Sequence, residues 1–291
     1  MHAVKTALVL AGGGSLGAVQ VGMLKALVEA GVSFDLVIGA SVGAINGAYF
    51  AARPTAEGVE ELADFWRSLR KGDVFPLSLL DTLRALINRR GFLLQATALE
   101  RLVKRALPVA RIEDTVLPLH IVTTNMLTGA EELLSSGSAQ QALLASAAIP
   151  LVFPFVKIGD KLLVDGGVAS NTPIASAVDL GANRIVVVPT GFGCACPQPP
   201  AGLVALALHT LNLMSMRQLV RDIELYAHRA GIHVVAPLCP LGISVFDFSQ
   251  TDALLQRAYE QTCVWIEEGG LVRTGVPDSL QAHTHPSAHG H

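Results

Sequence analysis

Three glycine-rich segments of the chain have residue types that could do chemistry. Gly39-Ala40-Ser41-Val42-Gly43 is a G-x-S-x-G between an apolar run and a helical pattern. Small residues on either side of Ser41 suit a sharp strand-to-helix turn, where bulkier side chains would collide with neighbouring backbone. Such a turn presents the serine hydroxyl at a helix N-terminus, where negative charge is stabilised. Gly12-Gly13-Gly14-Ser15-Leu16-Gly17 also joins an apolar run to a helical pattern. Consecutive glycines let backbone N–H groups converge on a phosphate or a developing oxyanion. Asp165 closes the run 161–164 and is followed by Gly166 and Gly167. An acid flanked by glycines at a strand end is open to close approach by a ligand or another loop, although an Asp in a plain turn looks the same.

The partner of Ser41 is open on motifs alone. An α/β-hydrolase supplies an acid and then a histidine after the serine, and His209 and His233 follow it here. That fold also puts several strands before the nucleophile, whereas one strand and the glycine turn precede Ser41. His209 falls in an apolar helical stretch and His233 beside Val234 in a strand, and both read as structural. Gly12-x-Gly14-x-x-Gly17 fits the dinucleotide fingerprint, but the acid at the end of the next strand is missing: Asp35 precedes that strand, which ends in Gly39. Cys194-x-Cys196, with Cys239 and Cys263 distant, has poor spacing for zinc.

The elements that must hold these segments alternate. Thr6–Leu10, Leu36–Ile38, His120–Thr123, Ile185–Val188 and Ile232–Val235 are short apolar runs, as expected of strands covered on both faces. Ser15–Ala30 and Val42–Ala52 read as helices, with Val19, Met23, Leu24 and Leu27 at helical spacing. The order predicts a three-layer α/β/α fold with a mainly parallel central sheet. The 291 residues are 51% hydrophobic and 15% charged, which excludes disorder, and a net charge of −3 argues against a general nucleic-acid binder. Four cysteines make no disulfide framework, and with no leader or lipidation signal the expectation is a soluble protein of a reducing compartment, the cytoplasm. Ile185 to Met216 lacks Lys, Arg, Asp and Glu, yet its prolines and glycines leave no room for a membrane span. A strand, a loop and a helix from about Ala201 are expected there.

One stretch stands apart. Trp66 to Arg111 holds ten basic side chains against three acidic ones, and Leu79, Leu80, Leu83, Leu86 and Ile87 form an apolar stripe. A basic amphipathic helix can lie on an anionic membrane surface, and a solvated helical face has the same pattern.

Together these segments resemble the patatin-like phospholipase family over roughly residues 5 to 190. GGGSLGAVQVGMLKAL resembles the family's oxyanion segment, GASVGAINGAYFAA its nucleophile elbow, and SAAIPLVFPFVKIGDKLLVDGGVASNTPI the segment with the catalytic Asp-Gly-Gly. The family commonly has a basic residue where this chain has Leu16. The resemblance implies a catalytic domain over residues 1–276, with a helical, basic cap-like insertion at about 55–111, and the polar, His-rich residues 277–291 read as a loose tail. It implies a Ser41–Asp165 dyad, an oxyanion hole from Gly12, Gly13 and Gly14, and no metal or other cofactor. The implied activity is hydrolysis of phospholipid, lysophospholipid or related lipid esters through an acyl-enzyme, with peripheral membrane contact through 66–111. A catalytically silent lipid-binding protein and an acyltransferase are the alternatives.

Overall fold

The computed structural model describes residues 4–74, 94, 96–191, 202–239, 241 and 247–280. The apolar stripe 79–87 with Arg84, Arg89 and Arg90, the cysteines 194 and 196, most of the uncharged loop 191–202 and the tail from 281 lie outside these residues. Eight strands form one mixed sheet in the order β5-β6-β3-β2-β1-β7-β8, with β4 also pairing with β3. The strands are β1 (Thr6–Leu10), β2 (Leu36–Ala40), β3 (Leu119–Asn125), β4 (Glu131–Leu134), β5 (Val156–Ile158), β6 (Lys161–Asp165), β7 (Arg184–Val188) and β8 (Gly231–Val234). β1, β2, β3, β7 and β8 run parallel. β4, β5 and β6 add an antiparallel side; β6 is the run that Asp165 closes, whereas β4 and β5 are too short and too little buried to be announced by an apolar run.

β1 and β2 are buried throughout, as central parallel strands must be. Successive side chains point to opposite faces and build two cores. Leu8, Leu10 and Val37 meet one helical layer, whereas Ala7, Val9, Leu36 and Ile38 meet the other. The first layer contains α1 (Gly17–Glu29), α2 (Val42–Ala52), α3 (Ala56–Ser68), the short α4 (Lys71–Val74), α5 (Thr97–Ala106), α6 (Ala139–Ser146) and, further along the chain, a C-terminal helix Thr251–Glu267. The second is built on α7 (Gly167–Ser170), α8 (Ile174–Asp179) and α9 (Leu203–Tyr226), of which α8 and α9 supply Ile174, Ala177, Leu219 and Ile223 to the core. The C-terminal helix, α10, packs closely along α1, where a Cβ on Gly22 would collide with the Leu255 carbonyl.

The described parts of segment 55–111 join the first layer. Thr55 caps α3 by accepting from the Gly58 N–H at 3.1 Å, and Val59, Leu62 and Trp66 reach the same core as Leu8. α5 buries Leu99, Leu102 and Val103 and exposes Arg101, Lys104 and Arg105. Cys239 is disulfide-bonded, a single bridge rather than a framework, and Cys263 is a free thiol.

Candidate active site

Strand register carries Ser41 and Asp165 to one level of the sheet. Ala40 pairs with Val122 and Thr123 pairs with Asp165, so the residue after Ala40 and the end of β6 meet across β3. Ser41 Oγ donates to Asp165 Oδ2 at 2.6 Å, joining residues 124 apart in the chain. The glycine turn after β1 lies alongside, because Leu10 pairs with Gly39.

Ser41 sits between β2 and α2 with φ 54° and ψ −125°, a left-handed conformation that costs a non-glycine residue on the order of 1–3 kcal/mol. The surroundings enforce it. Its N–H donates to Ser146 Oγ at 2.9 Å, and Ser146 Oγ donates to the Val122 carbonyl at 2.6 Å. Its own carbonyl accepts the first bonds of α2, from Ala44 and Ile45. A Cβ on Gly43 would collide with the carbonyls of Leu10 and Ala11, and one on Gly39 with the backbone of Gly43. Gly39 and Gly43 are therefore required by packing.

Asp165 is 5% exposed and Ser41 8%. Asp165 Oδ1 accepts the Gly167 N–H at 2.8 Å, and Thr124 Oγ1 donates to its carbonyl at 2.8 Å. Gly166 has no room for a Cβ, which would strike the Val122 carbonyl. Burial raises the Asp165 carboxyl from its usual 3.8 to about 6, against the opposing pull of the bonds from Ser41 and Gly167. The carboxylate is thus a stronger base than an exposed aspartate while remaining ionised at neutral pH.

The glycine turn is tied down at its start. Gly12 N–H donates to the Asn171 carbonyl at 3.2 Å, and Thr190 Oγ1 donates to the Gly12 carbonyl at 2.8 Å. A Cβ on Gly12 would fall against Asn171 Oδ1 and the Ser41 Cβ, so the turn passes directly beside Ser41. Gly14 has φ 60° and opens a single helical turn that runs into α1. Leu16 is buried in the core, so the side chain at this position packs inward.

Two clefts meet at Ser41. One, of about 510 Å³ including its mouth, is apolar and is walled by residues such as Ile45, Trp66, Leu69, Leu102, Phe153 and Phe248. The other, of about 630 Å³, holds the glycine turn, Asp165 and Asn171, and α9 contributes Leu208, Leu211, Asn212 and Ser215. An ester carbonyl at Ser41 would thus have an apolar channel on one side and a more polar one on the other.

Neither histidine shares this site. His209 is half-exposed and absent from the α9 residues that face the cleft. His233 is on β8, beyond β1 and β7 from β2, and its Nδ1 bonds the Arg273 carbonyl at 2.9 Å. Sequence reasoning missed Ser146, Asn171, Thr190 and the buried amides Gln20 and Asn46. The first two lie inside the segment that carries Asp165, but nothing in their spacing marks them. Within the basic stretch, Arg67 is ion-paired with Glu60, Asp64 and Asp252, and Arg111 with Glu113. No described helix is long and apolar enough to cross a membrane.

A family model for patatin-like phospholipase matches residues 8–178, more than half of the chain. Patatin-like phospholipase domain-containing protein 6 of Mus musculus is 34% identical over 190 residues, which cover 64% of this chain and 13% of that protein. An uncharacterized NTE family protein of Mycobacterium tuberculosis is 30% identical over 278 residues, covering 86% of this chain and 44% of its own length. This chain therefore spans less than half the length of either relative. Among solved structures, VipD from Legionella pneumophila aligns with a TM-score of 0.49 and 16% identity, over 91% of this chain and 67% of that one.

Proposed function

Because the chain belongs to the patatin-like phospholipase family, we propose that it is a serine hydrolase of lipid carboxylic esters, with Ser41 as nucleophile and Asp165 as its base. The observation that carries this reading is the 2.6 Å bond from Ser41 Oγ to Asp165 Oδ2 between two buried side chains. Ser41 Oγ attacks the ester carbonyl as its proton passes to Asp165, and the carbonyl becomes an oxyanion. The N–H groups of Gly13 and Gly14 lie where backbone donors lack intrahelical acceptors, and they stabilise that charge, with Gly12 shaping the turn. Asp165 returns the proton to the leaving alcohol. It then takes one from a water that attacks the acyl-enzyme, releasing the fatty acid and restoring Ser41.

A carboxylate is a weak base for an alcohol, so two features matter. Burial has strengthened the base, and one oxyanion donor is worth about 2.7–4 kcal/mol of barrier. The apolar cleft suits an acyl chain and the cleft with Asn171, Asn212 and Ser215 suits the alcohol. α5 lines the acyl side with Leu99 and Leu102 and turns Arg101, Lys104 and Arg105 outward, which suits contact between segment 66–111 and a lipid surface.

Labelling with a fluorophosphonate and turnover of p-nitrophenyl butyrate test the reading. Ser41→Ala should abolish both, Asp165→Asn should nearly abolish turnover, and the double variant should lose little more than either single change. Near-normal turnover by folded Ser41→Ala protein would refute the assignment.

A further inference from the structure

Gln20 and Asn46 are wholly buried polar side chains that the chemistry above does not use. Gln20 Nε2 donates to the Ala11 carbonyl at 2.8 Å and to the Val188 carbonyl at 3.0 Å. Its Oε1 accepts from Asn46 Nδ2 at 2.9 Å, and Asn46 Nδ2 donates as well to the Gly17 carbonyl at 3.0 Å. Asn46 Oδ1 accepts from Trp66 Nε1 at 2.8 Å. Every amide N–H of both residues is used, and reversing the Gln20 amide would set its oxygen against two carbonyls.

The two ends of this chain of bonds are in different parts of the site. Ala11 and Gly17 are the residues just before and at the close of the glycine turn, so Gln20 and Asn46 grip the turn at both ends. At the other end, the Trp66 indole is a wall of the apolar cleft. It stacks on Phe248, another wall, with ring centres 6.2 Å apart and 13° between planes. The same indole packs on α1 so closely that Gly17 has no room for a Cβ. An object pressing on this indole therefore bears on Gly17 by contact and on Ala11 through two amides.

We propose that Trp66, Asn46 and Gln20 are a positioning relay that links an acyl chain in the apolar cleft to the placement of the glycine turn beside Ser41. This rests on the reading of that cleft as the acyl side. The relay makes the length of the acyl chain count in kcat as well as in KM. Binding energy from a part of the substrate remote from the ester then aligns oxyanion donors, and truncated substrates lose turnover rate. Buried hydrogen-bonded networks suit this task, because each amide holds the next in place.

Trp66→Phe keeps an aromatic wall but removes both the donor to Asn46 and the indole edge that presses on Gly17, and Gln20→Met, which leaves the walls of the cleft in place, removes the grip on Ala11. kcat and KM are measured for p-nitrophenyl esters from acetate to decanoate, alongside thermal melting. In the wild type, kcat should rise with chain length. In either variant that rise should flatten, with kcat on decanoate about tenfold lower, well inside the ~10²-fold that a misplaced group can cost, and in Gln20→Met KM should stay within about twofold. A lower melting temperature with a kcat profile parallel to the wild type would overturn the proposal. A second arm needs neither turnover nor a destabilising variant. Ser41→Ala protein labelled with ¹⁵N is titrated with dodecanoate, and the Trp66 Nε1–H and Gln20 Nε2–H resonances should shift together on one binding curve. A Trp66 shift without a Gln20 shift, or no shift in either, would also overturn it. If the wild type hydrolyses no ester, the hydrolase reading fails, while the titration still decides whether cleft and turn are linked.

Discussion

Replacing Asp165 by Asn should make the protein more stable at neutral pH while removing its turnover. Burial raises the folded-state carboxyl from 3.8 to about 6, and the unfolded chain titrates near the ordinary value. For an acid raised in this way the sign is opposite to that of a salt-bridged aspartate. The favourable contribution is complete below about pH 4, where both states hold the proton. It is lost between about pH 4 and pH 6, as the unfolded state ionises first, and above pH 6 the folded state holds a desolvated charge at a cost of up to about 3 kcal/mol. Asparagine has nearly the same shape and no charge. Its oxygen can accept the Gly167 N–H and its amide can donate to Ser41 Oγ, so both bonds of the native carboxylate have counterparts. Denaturant unfolding of both proteins at pH 4, 5, 6, 7 and 8 measures the difference directly. The variant should match the wild type near pH 4 and gain up to about 3 kcal/mol above pH 6. A gap that does not vary with pH, or an Asn protein less stable throughout, would show that the carboxylate is not strained by burial.

The same titration sets the activity profile: kcat/KM on a short soluble ester should rise with one proton lost near pH 6 as Asp165 becomes a competent base, and a flat rate from pH 5 to 8 would count against that role. Gly43→Ala should lower stability by about 1–3 kcal/mol or more and abolish activity, read by melting and turnover, because its Cβ has only backbone to push against. Changing Arg101, Lys104 and Arg105 together to Gln should weaken co-sedimentation with anionic vesicles at low salt and leave short-ester hydrolysis intact; identical binding with and without salt, in both proteins, would exclude electrostatic docking of this face.

The parts of the site that were legible in the sequence are those in which local backbone geometry dictates residue type. Gly39 and Gly43 are readable because a tight strand-to-helix turn admits no side chain, and α2 begins at Val42 as that motif requires. β1 and β2 were readable because strands buried on both faces are unbroken apolar runs. β4 and β5 were not, since a short, half-buried strand has neither an apolar run nor clear alternation. Ser146 was equally hidden: a serine in a helical pattern looks alike whether it faces water or holds the Ser41 N–H.

By itself the sequence determined which turns are glycine-only, where a serine and an aspartate stand at strand ends, and that a covered, mainly parallel sheet carries them. Local sterics suffices for these, since each depends on a handful of adjacent residues. Which group faces Ser41 was left to tertiary structure. His209, His233 and Asp165 are all compatible with the motifs, and only the pairing of Ala40 with Val122 and of Thr123 with Asp165 brings one of them within 2.6 Å. Tertiary structure likewise decided the strength of that carboxylate, the two clefts beside Ser41, and the meeting of Gln20, Asn46 and Trp66. Distances and desolvation arise from segments far apart in the chain, and no local pattern encodes how closely the packed sheet brings them together.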